Sequence, residues 1–420
     1  MIKNEFKKII RNIFSLRNDG TDKLITIFGI PIRIDCSRYY KDLMKNTSVI
    51  KNKIIFNNFH GSLYGCNPKY IAEEIIKRKL PYNLYWMCKQ IKKVDKSIFP
   101  KEILLVPFNG CKSIKELASS RIIISNVRTN LLINRGWTKK EGQTYIQTWH
   151  GSLGIKKIDA AVGNYSFATK QWCDVSREYD SKYMDYLLSN STFEDKVFEN
   201  GLWYEGPILK TGHPRNDVFF KTEDDKLKIK EKVFSTLEID RNKKILLYVP
   251  SYRDDKRLDC YGLDTNSLIK ALEEKFGGDW VVAIRLHPHV KKYSTSLYDF
   301  GEKVVDASFY PDIQELLVSS EAAITDYSSC IFDFMLSRKP GFIFATDLDE
   351  YNTERGFYYP LEETPFPVAK NNQDLCQNIL NFENKKYVEE VEKFLKDKGC
   401  MEDGHASERV VDLIEKIIAE

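Results

Sequence analysis

Alternating strand and helix signals constrain the fold of this chain more than any other feature. From Lys53 onward, short apolar runs alternate with helical stretches that carry one apolar stripe. The run Lys244–Val249 is apolar at nearly every position, which is typical of a strand covered on both faces. Such strands form a parallel sheet with helices on both sides. Because the pattern occurs in two successive sets, we predict an α/β fold of two doubly wound domains that face a cleft.

We divide the chain where this alternation stops or restarts. A hairpin is predicted over Leu24–Arg33, because apolar residues flank a break at Gly29 and Pro31. The boundary between the two sets falls near Glu205-Gly206-Pro207, so that the strand-like segment Ile208–Gly212 begins the second set. The predicted divisions are a basic N-terminal helix and hairpin (1–50), a first Rossmann-like domain (51–207), a second Rossmann-like domain (208–385) and a helical C-terminal tail (386–420).

The composition excludes several classes of protein. Of the 420 residues, 42% are hydrophobic and 30% are charged, which is enough apolar material for a sizeable core. No apolar run is long enough for a polytopic membrane protein, and the first residues lack the pattern of a signal peptide. Nine cysteines are scattered without a CxxC pair, which indicates reduced thiols in the cytosol rather than a zinc site.

Positive charge is concentrated at the N-terminus. Residues 1–60 hold 12 Lys and Arg against 5 Asp and Glu, whereas the net charge of the whole chain is only +4. In residues 1–14 the apolar side chains share one helical face and the basic ones occupy the rest. A basic amphipathic helix can lie on an anionic membrane surface, so we predict that residues 1–17 bind one; a helix docked on its own domain is the alternative. No nucleic-acid partner is predicted, since no nucleic-acid-binding motif accompanies the charge.

Chemically active residues follow five of the predicted strands. Ligands of open α/β sheets bind at the carboxyl ends of strands, so these positions are where a site is expected. His, Arg and hydroxyl side chains are the donors that an anionic ligand requires, and together they predict a pocket for a nucleoside diphosphate. The five segments are Trp149-His150-Gly151-Ser152, Gly212-His213-Pro214-Arg215-Asn216-Asp217, Pro250-Ser251-Tyr252-Arg253-Asp254-Asp255, Arg285-Leu286-His287-Pro288 and Thr325-Asp326-Tyr327-Ser328-Ser329.

Ser328 and Ser329 stand at the start of a predicted helix. The free N–H groups and the dipole at a helix N-terminus favour an anion, so we predict a phosphate site there; plain N-capping by serine is the alternative. Asp333 lies four residues after Ser329 on the same helix face. Its carboxylate could accept hydrogen bonds from sugar or alditol hydroxyls.

Two of the six histidines, His150 and His287, stand at strand ends in different halves of the chain. Histidine is the side chain best suited to proton transfer near neutral pH, so both are candidate catalytic residues, although a lone histidine is more often structural. Gly151 beside His150 leaves room for a substrate, whereas His405 is interpreted as structural. The segment Asp347-Leu-Asp349 could hold a divalent metal, but it also fits a solvated helix start, and no metal site is predicted.

Five motifs occur in one order along the chain: Gln147-Thr-Trp-His-Gly151, Thr211-Gly-His-Pro-Arg-Asn-Asp217, Arg285-Leu-His-Pro288, Thr325-Asp-Tyr-Ser-Ser329 and Arg355-Gly-Phe-Tyr358. Together they resemble the CDP-glycerol:glycerophosphotransferase family of teichoic-acid and capsule enzymes, over roughly Lys53 to Glu363. The resemblance implies a GT-B-type fold, with residues 51–207 on the acceptor side and 208–385 binding the donor. It also implies transfer of an alditol phosphate from a CDP-alditol to an acceptor hydroxyl, with release of CMP.

The resemblance also implies a donor site, no required cofactor, and a location. The co-substrate would be CDP-glycerol or CDP-ribitol, with Mg²⁺ as an optional aid. The acceptor would be a lipid-linked or polysaccharide chain, on the inner face of the cell membrane. Ser152-Leu153 and His213 depart from the residues that many members carry, so the alditol stays open. The implied donor-site residues are His150, Gly151, Ser152, Arg215, Pro250, Ser251, Arg285, Leu286, His287, Ser328, Ser329 and Asp333.

The expected reaction is in-line attack of an acceptor hydroxyl on the β-phosphorus. His150 is the predicted general base, with His60 as the next candidate, while His287, Arg215 and Arg285 would stabilise the diphosphate and the departing CMP. Two alternatives stay open at this point. One is a GT-B glycosyltransferase that uses a nucleotide sugar and releases UDP or GDP; the other is an inactive scaffold that binds membrane and polyanion.

Overall fold

The structure, a computed structural model, describes residues 14–19, 21–162, 167–253 and 257–420. Over these residues the strands form one small sheet and two larger ones. The strands are β1 (Phe14–Asp19), β2 (Asp22–Ile27), β3 (Ile30–Ile34), β4 (Ile50–Asn57), β5 (Asn83–Cys88), β6 (Ile103–Pro107), β7 (Ser120–Ser125), β8 (Thr144–Gln147), β9 (Tyr186–Ser189), β10 (Ile208–Lys210), β11 (Lys244–Val249), β12 (Trp280–Ile284), β13 (Val304–Asp306), β14 (Ala322–Thr325), β15 (Gly341–Phe344) and β16 (Val368–Ala369).

Helices cover both faces of the two larger sheets. Their apolar stripes pack on the strands and form the cores of the two domains. The α-helices of the described residues are α1 (Ser37–Asn46), α2 (Cys66–Lys77), α3 (Cys111–Ser119), α4 (Asn130–Ile133), α5 (Phe167–Val175), α6 (Ser181–Tyr183), α7 (Thr192–Gly201), α8 (Glu223–Thr236), α9 (Thr265–Phe276), α10 (Ser294–Leu297), α11 (Ile313–Ser319), α12 (Cys330–Phe334), α13 (Leu348–Arg355), α14 (Asn372–Leu380), α15 (Asn384–Asp397) and α16 (Ala406–Ala419).

The sheet of the first domain is parallel, with the strand order β10-β9-β8-β7-β4-β5-β6. Its central strand β4 is buried from Lys53 to Asn57. The chain adds β5 and β6 on one side of β4 and the later strands on the other. The order therefore reverses between β4 and β7, and a reversal of this kind opens a crevice at the carboxyl ends of the two strands.

The sheet of the second domain is also parallel, with the order β13-β12-β11-β14-β15-β16. Here the order reverses between β11 and β14, and β11 is buried from Ile245 to Val249. The segments that begin with Pro250 and Asp326 leave the sheet at this reversal. The predicted α/β fold of two doubly wound domains facing a cleft is confirmed by these two sheets.

One strand lies in a different sheet from the one that the sequence analysis gives it, and strands β9 and β1 are not predicted. Ile208–Lys210, assigned there to the second set, pairs in parallel with β9 at the edge of the first sheet. Strand β9 has only four residues and follows a weakly periodic segment, so the pattern does not reveal it. The predicted helix of residues 1–14 lies outside the described residues except for Phe14, which begins β1 instead. Strands β1, β2 and β3 form an antiparallel meander that includes the predicted hairpin.

The C-terminal tail connects the two domains. Helix α15 packs on the core of the second domain through Phe394 and Leu395. Helix α16 then returns to the first domain, where Val410 and Ile414 join the apolar core on one face of that sheet. The tail is therefore an integral part of both domains.

A buried ion cluster also holds the domains together. Lys69 of α2 places its Nζ 2.7 Å from Asp312 and 2.6 Å from Glu315, and both carboxylates belong to the second domain. The hydroxyl of Tyr70 donates to Asp312 at 2.9 Å. All four side chains are buried, so the two domains share a satisfied polar core beside the cleft.

Candidate active site

Loops from the carboxyl ends of both sheets meet across the cleft. The loop after β8 carries His150 and Gly151, and the loop after β14 carries Ser328 and Ser329. A Cβ atom added at Gly151 would lie 3.7 Å from the Ser329 hydroxyl oxygen, and one added at Gly154 would lie 3.2 Å from Ser329 Cβ. The structure thus brings predicted site residues of the two domains to one place.

His150 has a defined orientation at the end of β8. Its Nδ1 lies 2.7 Å from the backbone carbonyl oxygen of Asn126. A carbonyl can only accept, so Nδ1 carries the proton and Nε2 keeps a lone pair. The side chain stays in contact with solvent, but desolvation within the cleft lowers its pKa to about 4, while the hydrogen bond to Asn126 acts the other way. At neutral pH the ring is a neutral base.

His287 faces the cleft from the second domain, and its proton is on the other ring nitrogen. Its Nδ1 accepts a hydrogen bond from the backbone N–H of His289 at 3.3 Å, so the proton of the neutral ring is on Nε2. The ring stacks on Tyr252, with centroids 5.2 Å apart and planes at 29°. Desolvation, then His289 and Lys156, lower the pKa of His287 to about 4. This residue therefore offers a neutral N–H donor to a ligand.

Arg215 lies in the wall of the cleft and is only 2% exposed. Its Nε and Nη2 donate to the Asp333 carboxylate at 2.9 and 3.1 Å. Asp333 also accepts from Asn216 and Gln314, so both of its oxygens are occupied by protein donors. The predicted contact of Asp333 with a ligand hydroxyl stays a prediction. Arg215 Nη1 is buried and has no hydrogen-bond partner among the described residues. The guanidinium therefore keeps one N–H group that can donate to an anion.

Arg285 and Leu286 fix the loop that carries His287. The guanidinium of Arg285 donates to the backbone carbonyl oxygen of Tyr310, and burial lowers its pKa. The backbone N–H of Leu286 donates to Ser308 Oγ at 3.0 Å, and its side chain is buried. Both residues lie at the predicted strand end, but their side chains contact other residues of the second domain.

Pro250 and Ser251 are buried at the end of β11. The backbone N–H of Ser251 donates to the two carboxylate oxygens of Asp326 at 2.8 and 3.0 Å. Asp326 is paired in turn with Arg253 at 2.9 Å. The Ser251 hydroxyl is buried and has no hydrogen-bond partner among the described residues, so it can serve a ligand.

The helix after Ser329 is short. Helix α12 begins at Cys330 and ends at Phe334, and the Ser329 side chain makes no capping hydrogen bond to it. Ser328 Oγ accepts weakly from the N–H of Cys330 at 3.4 Å. Ser152 is placed differently, because its buried Oγ accepts from Asn190 Nδ2 at 2.5 Å and so helps to hold the loop of His150.

Lys156 is a candidate site residue that the sequence analysis does not identify. It lies in the loop after His150, and its backbone forms a bridge with Phe357 of the second domain. Desolvation lowers its pKa to about 8; Asp326 raises this pKa and Arg355 lowers it. Its charge also lowers the pKa of His287. A lysine in a loop without a motif gives no signal in the sequence, since only the interface brings it to the cleft.

The Asp347-Leu-Asp349 segment is divided between two environments. Asp347 accepts from Arg253 Nε at 2.7 Å and from the Tyr327 hydroxyl at 2.8 Å. The side chain of Asp349 is 94% exposed. Across the described ranges, no group of three His, Cys, Asp or Glu side chains is arranged to hold a metal ion.

Two Rossmann-like domains that each present a histidine to a shared cleft have the arrangement of a GT-B-type transferase. The chain belongs to the CDP-glycerol:poly(glycerophosphate) glycerophosphotransferase family, whose model matches residues 39–416. The family expected from the five motifs is thereby confirmed. Members of this family are enzymes, in agreement with the predicted transferase.

Curated relatives extend this similarity. The chain is 32% identical to a teichoic acid glycerol-phosphate transferase of Staphylococcus aureus, over 87% of this chain and 93% of the relative. It is 31% identical to a teichoic acid poly(glycerol phosphate) polymerase of Staphylococcus epidermidis, over 99% of this chain. The chain spans only 56% of the length of that polymerase.

Solved structures show the same arrangement of domains. The wall teichoic acid polymerase TagF superimposes with a TM-score of 0.79 at 28% identity, over 91% of this chain and 94% of the other. A histidine-to-asparagine variant of TagF soaked with CDPG also gives a TM-score of 0.79, at 28% identity over 91% of this chain and 93% of the other. UDP-GlcNAc 2-epimerase from Methanocaldococcus jannaschii shares the fold alone, with a TM-score of 0.52 at 14% identity over 87% of this chain and 99% of the other.

Proposed function

We propose that this chain transfers glycerol phosphate from CDP-glycerol to a hydroxyl group of a teichoic-acid-type acceptor and releases CMP. The family and the names of its relatives support the reaction class. One observation carries the proposal to this cleft: the backbone carbonyl of Asn126 fixes His150 in the tautomer that leaves Nε2 as a base, on a loop whose Gly151 lies against Ser329. A base from one domain thus faces an anion site of the other.

In the proposed step, the acceptor hydroxyl attacks the β-phosphorus of the donor. The bond between this phosphorus and the bridging oxygen breaks, a phosphodiester forms, and CMP leaves. Nε2 of His150 takes the proton of the attacking hydroxyl. Phosphoryl transfer of this kind depends on positioning and charge neutralisation more than on covalent help from the protein.

The second domain supplies donors to the phosphates. Nε2–H of His287 can donate to a phosphoryl oxygen without a change of charge. The Ser329 hydroxyl is not used as a helix cap, and Arg215 Nη1 has no other partner in the described chain. Lys156 adds a positive charge from the first domain. Together these groups would stabilise the charge that develops on the departing CMP.

The test is to supply the purified chain with CDP-glycerol, CDP-ribitol or a UDP-sugar, together with a hydroxyl-bearing acceptor. CMP and a new glycerol phosphodiester are expected from CDP-glycerol. UDP released from a UDP-sugar would instead support the glycosyltransferase alternative. Equal CMP release from CDP-ribitol would contradict a preference for glycerol.

We further propose that this chain works as a peripheral protein at the cytoplasmic face of the membrane, where a lipid-linked acceptor would be reached. Residues 1–17 carry five basic residues and one acidic residue, a net charge of +4. The adjoining meander adds exposed apolar side chains, with Phe28 78% and Ile30 66% exposed. Among the described helices none has the length and apolarity to cross a membrane.

The basic residues of the N-terminal sequence favour reversible binding to an anionic leaflet, at about 1 kcal/mol per basic residue, and exposed apolar side chains add to it. Deletion of residues 1–13 and the variant Phe28→Ser should each reduce sedimentation with vesicles that contain phosphatidylglycerol, and high salt should do the same. The deletion should lower activity on a lipid-embedded acceptor and spare a soluble one. Equal loss on both acceptors would indicate a structural role for the segment.

A further inference from the structure

Two cationic side chains and a histidine surround one buried aromatic ring at the carboxyl end of the first sheet. They are His60 after β4, Lys89 after β5 and Arg135 after α4, and we call them the His60 cluster. The ring is that of Phe108. Arg135 Cζ lies 5.0 Å and Lys89 Nζ 5.6 Å from its centroid, and the His60 ring lies 6.0 Å away at 65°.

No carboxylate of the described chain neutralises this cluster. Arg135 Nη1 and His60 Nδ1 are both buried without a hydrogen-bond partner there. Desolvation, together with the charges of Lys89 and Arg135, lowers the pKa of His60 to about 4, so its ring is neutral. Desolvation and then Arg135 lower the pKa of Lys89, so the two cations disfavour each other. By contrast, buried Arg128 is paired with Asp159 and Asp180. Unpaired, partly desolvated cations at one place are unfavourable unless an anion binds there.

The backbone at this cluster is held in a rarely adopted conformation. Phe59, His60 and Gly61 have φ values of 43°, 55° and 77°, all in the left-handed region. A Cβ atom at Gly61 would lie 2.8 Å from Phe108 Cβ, so glycine is needed for the loop to pack against the ring. Gly61 adopts this region without strain, but Phe59 and His60 each do so at a cost in free energy, which the packing of the loop on Phe108 must offset.

The cluster lies at the reversal of strand order in the first sheet and beside the proposed base. This reversal, between β4 and β7, is where open α/β sheets bind ligands. Asn126, at the end of β7, accepts the Phe59 N–H with its side chain at 2.9 Å and the His150 Nδ1–H with its backbone carbonyl. The rings of Phe59 and His150 are 5.4 Å apart. An anion at the cluster would thus be next to the reacting hydroxyl.

We infer that the His60 cluster is a subsite for a phosphodiester of the acceptor chain, one unit back from the hydroxyl that attacks. The inference rests on the proposed function, because that function makes the acceptor a polyanion. In the proposed function the second domain binds the donor phosphates. We therefore assign the anion at the His60 cluster, which belongs to the first domain, to the acceptor. Arg and Lys are the usual partners of phosphate oxygens, and binding of one would relieve the repulsion within the cluster.

The experiment compares two soluble acceptors with the full chain. One carries three glycerol phosphate units, and the other is a phosphate-free alkyl glycerol with the same terminal hydroxyl. Lys89→Met and Arg135→Gln should each raise KM for the charged acceptor by about 10- to 100-fold, the effect of losing a charge-assisted hydrogen bond. The KM for the donor and the KM for the neutral acceptor should not change. Lys92→Met, at an exposed lysine three residues from Lys89, is the matched control and should behave as the wild type.

Direct binding separates this inference from the proposed function. Calorimetry with the glycerol phosphate trimer, in the absence of donor, should show binding to the wild type and to Lys92→Met and a 10- to 100-fold loss in the two cluster variants. A wild type that binds the trimer but releases no CMP would overturn the proposed reaction and keep the subsite. Unchanged trimer binding and acceptor KM in both variants, or a rise in donor KM instead, would overturn the subsite. Lys89 is exposed, so Lys89→Met tests the idea even if Arg135→Gln fails to fold.

Discussion

His150 and His287 lie on opposite edges of the cleft and differ in where the proton sits. Desolvation lowers both pKa values to about 4, so both rings are neutral at physiological pH. A carbonyl contacts Nδ1 of His150, whereas an N–H contacts Nδ1 of His287. The first ring therefore presents a lone pair at Nε2, and the second presents a proton. The backbone group that contacts Nδ1 therefore decides whether Nε2 of each histidine accepts or donates a hydrogen bond.

The comparison assigns different chemistry to the two domains. In the proposed reaction, the first domain supplies the general base, and the second supplies neutral hydrogen-bond donors to the phosphates. The cations beside the two histidines also differ, since Arg215 and Arg253 of the second domain are paired with carboxylates, whereas Arg135 Nη1 in the His60 cluster of the first domain has no partner among the described residues. We expect the first domain to control proton transfer and acceptor binding, and the second to control donor binding.

The largest effect is expected at His150. His150→Ala should lower turnover by about 10²–10⁴-fold, the usual contribution of a general base, while donor affinity changes much less. The measurements are CMP release under donor saturation and calorimetric donor affinity. His405→Ala, at an exposed histidine outside the cleft, is the control. Near-normal turnover of His150→Ala would exclude His150 as the base.

His287→Ala should weaken donor binding by about 1–3 kcal/mol and lower turnover as well, because a hydrogen bond to the diphosphate is lost. Glutamine makes the comparison sharper, since its amide reaches the position of Nε2 with an N–H donor but without a basic site. His287→Gln should therefore recover much of the loss, and His150→Gln should recover little. Equal recovery at the two positions would contradict the assigned tautomers.

Replacement of Ser328 and Ser329 by alanine removes two hydroxyl donors and leaves the N–H groups of α12. We expect donor affinity to fall by about 1–3 kcal/mol, with turnover at donor saturation less affected. Calorimetry with an inert donor analogue measures the change. Ser337→Ala, later in the same segment, is a control, because its hydroxyl donates to Phe334 away from the cleft. Unchanged affinity in the double variant would rule out the predicted phosphate site.

The smallest effect concerns Lys156 and pH. Its lowered pKa of about 8 means that the ammonium loses its proton just above neutrality. Donor affinity should be constant from about pH 5, where both histidines are already neutral, and should fall by about tenfold as the pH rises through 8. In Lys156→Met the affinity should be lower at pH 7, and the fall near pH 8 should disappear. A fall that persists in the variant would assign it to another group.

The sequence predicts an element correctly when the signal lies within the residues of that element. The strand Lys244–Val249 has the predicted bounds, because a continuous apolar run is a local signal. Ile208–Lys210 was assigned to the wrong sheet, since a short strand carries no information about its neighbour. The C-terminal tail gives no local sign that α16 enters the first core.

For the candidate site, too, the sequence reveals some properties and only the structure reveals the others. The sequence places His150, His287 and Ser329 at strand ends, because residue type and the end of an apolar run are both visible in it. Their tautomers and partners depend on backbone atoms of distant residues, such as Asn126 for His150. The pairing of Arg215 with Asp333 joins residues 118 positions apart, and Lys156 reaches the cleft only because the domains close on each other.

By itself, the sequence determined the fold class, the family motifs and the strand ends that carry chemistry, because each depends on residues close together in the chain. Only the tertiary structure decided which histidine keeps a lone pair, which cations are already neutralised and which are left for a ligand. Those properties are set by burial and by contacts between residues far apart in sequence. Burial shifts the pKa of a side chain, and a single backbone carbonyl or N–H group selects the tautomer of a histidine. Both the burial and the backbone contact exist only once the chain has folded and the two domains pack together.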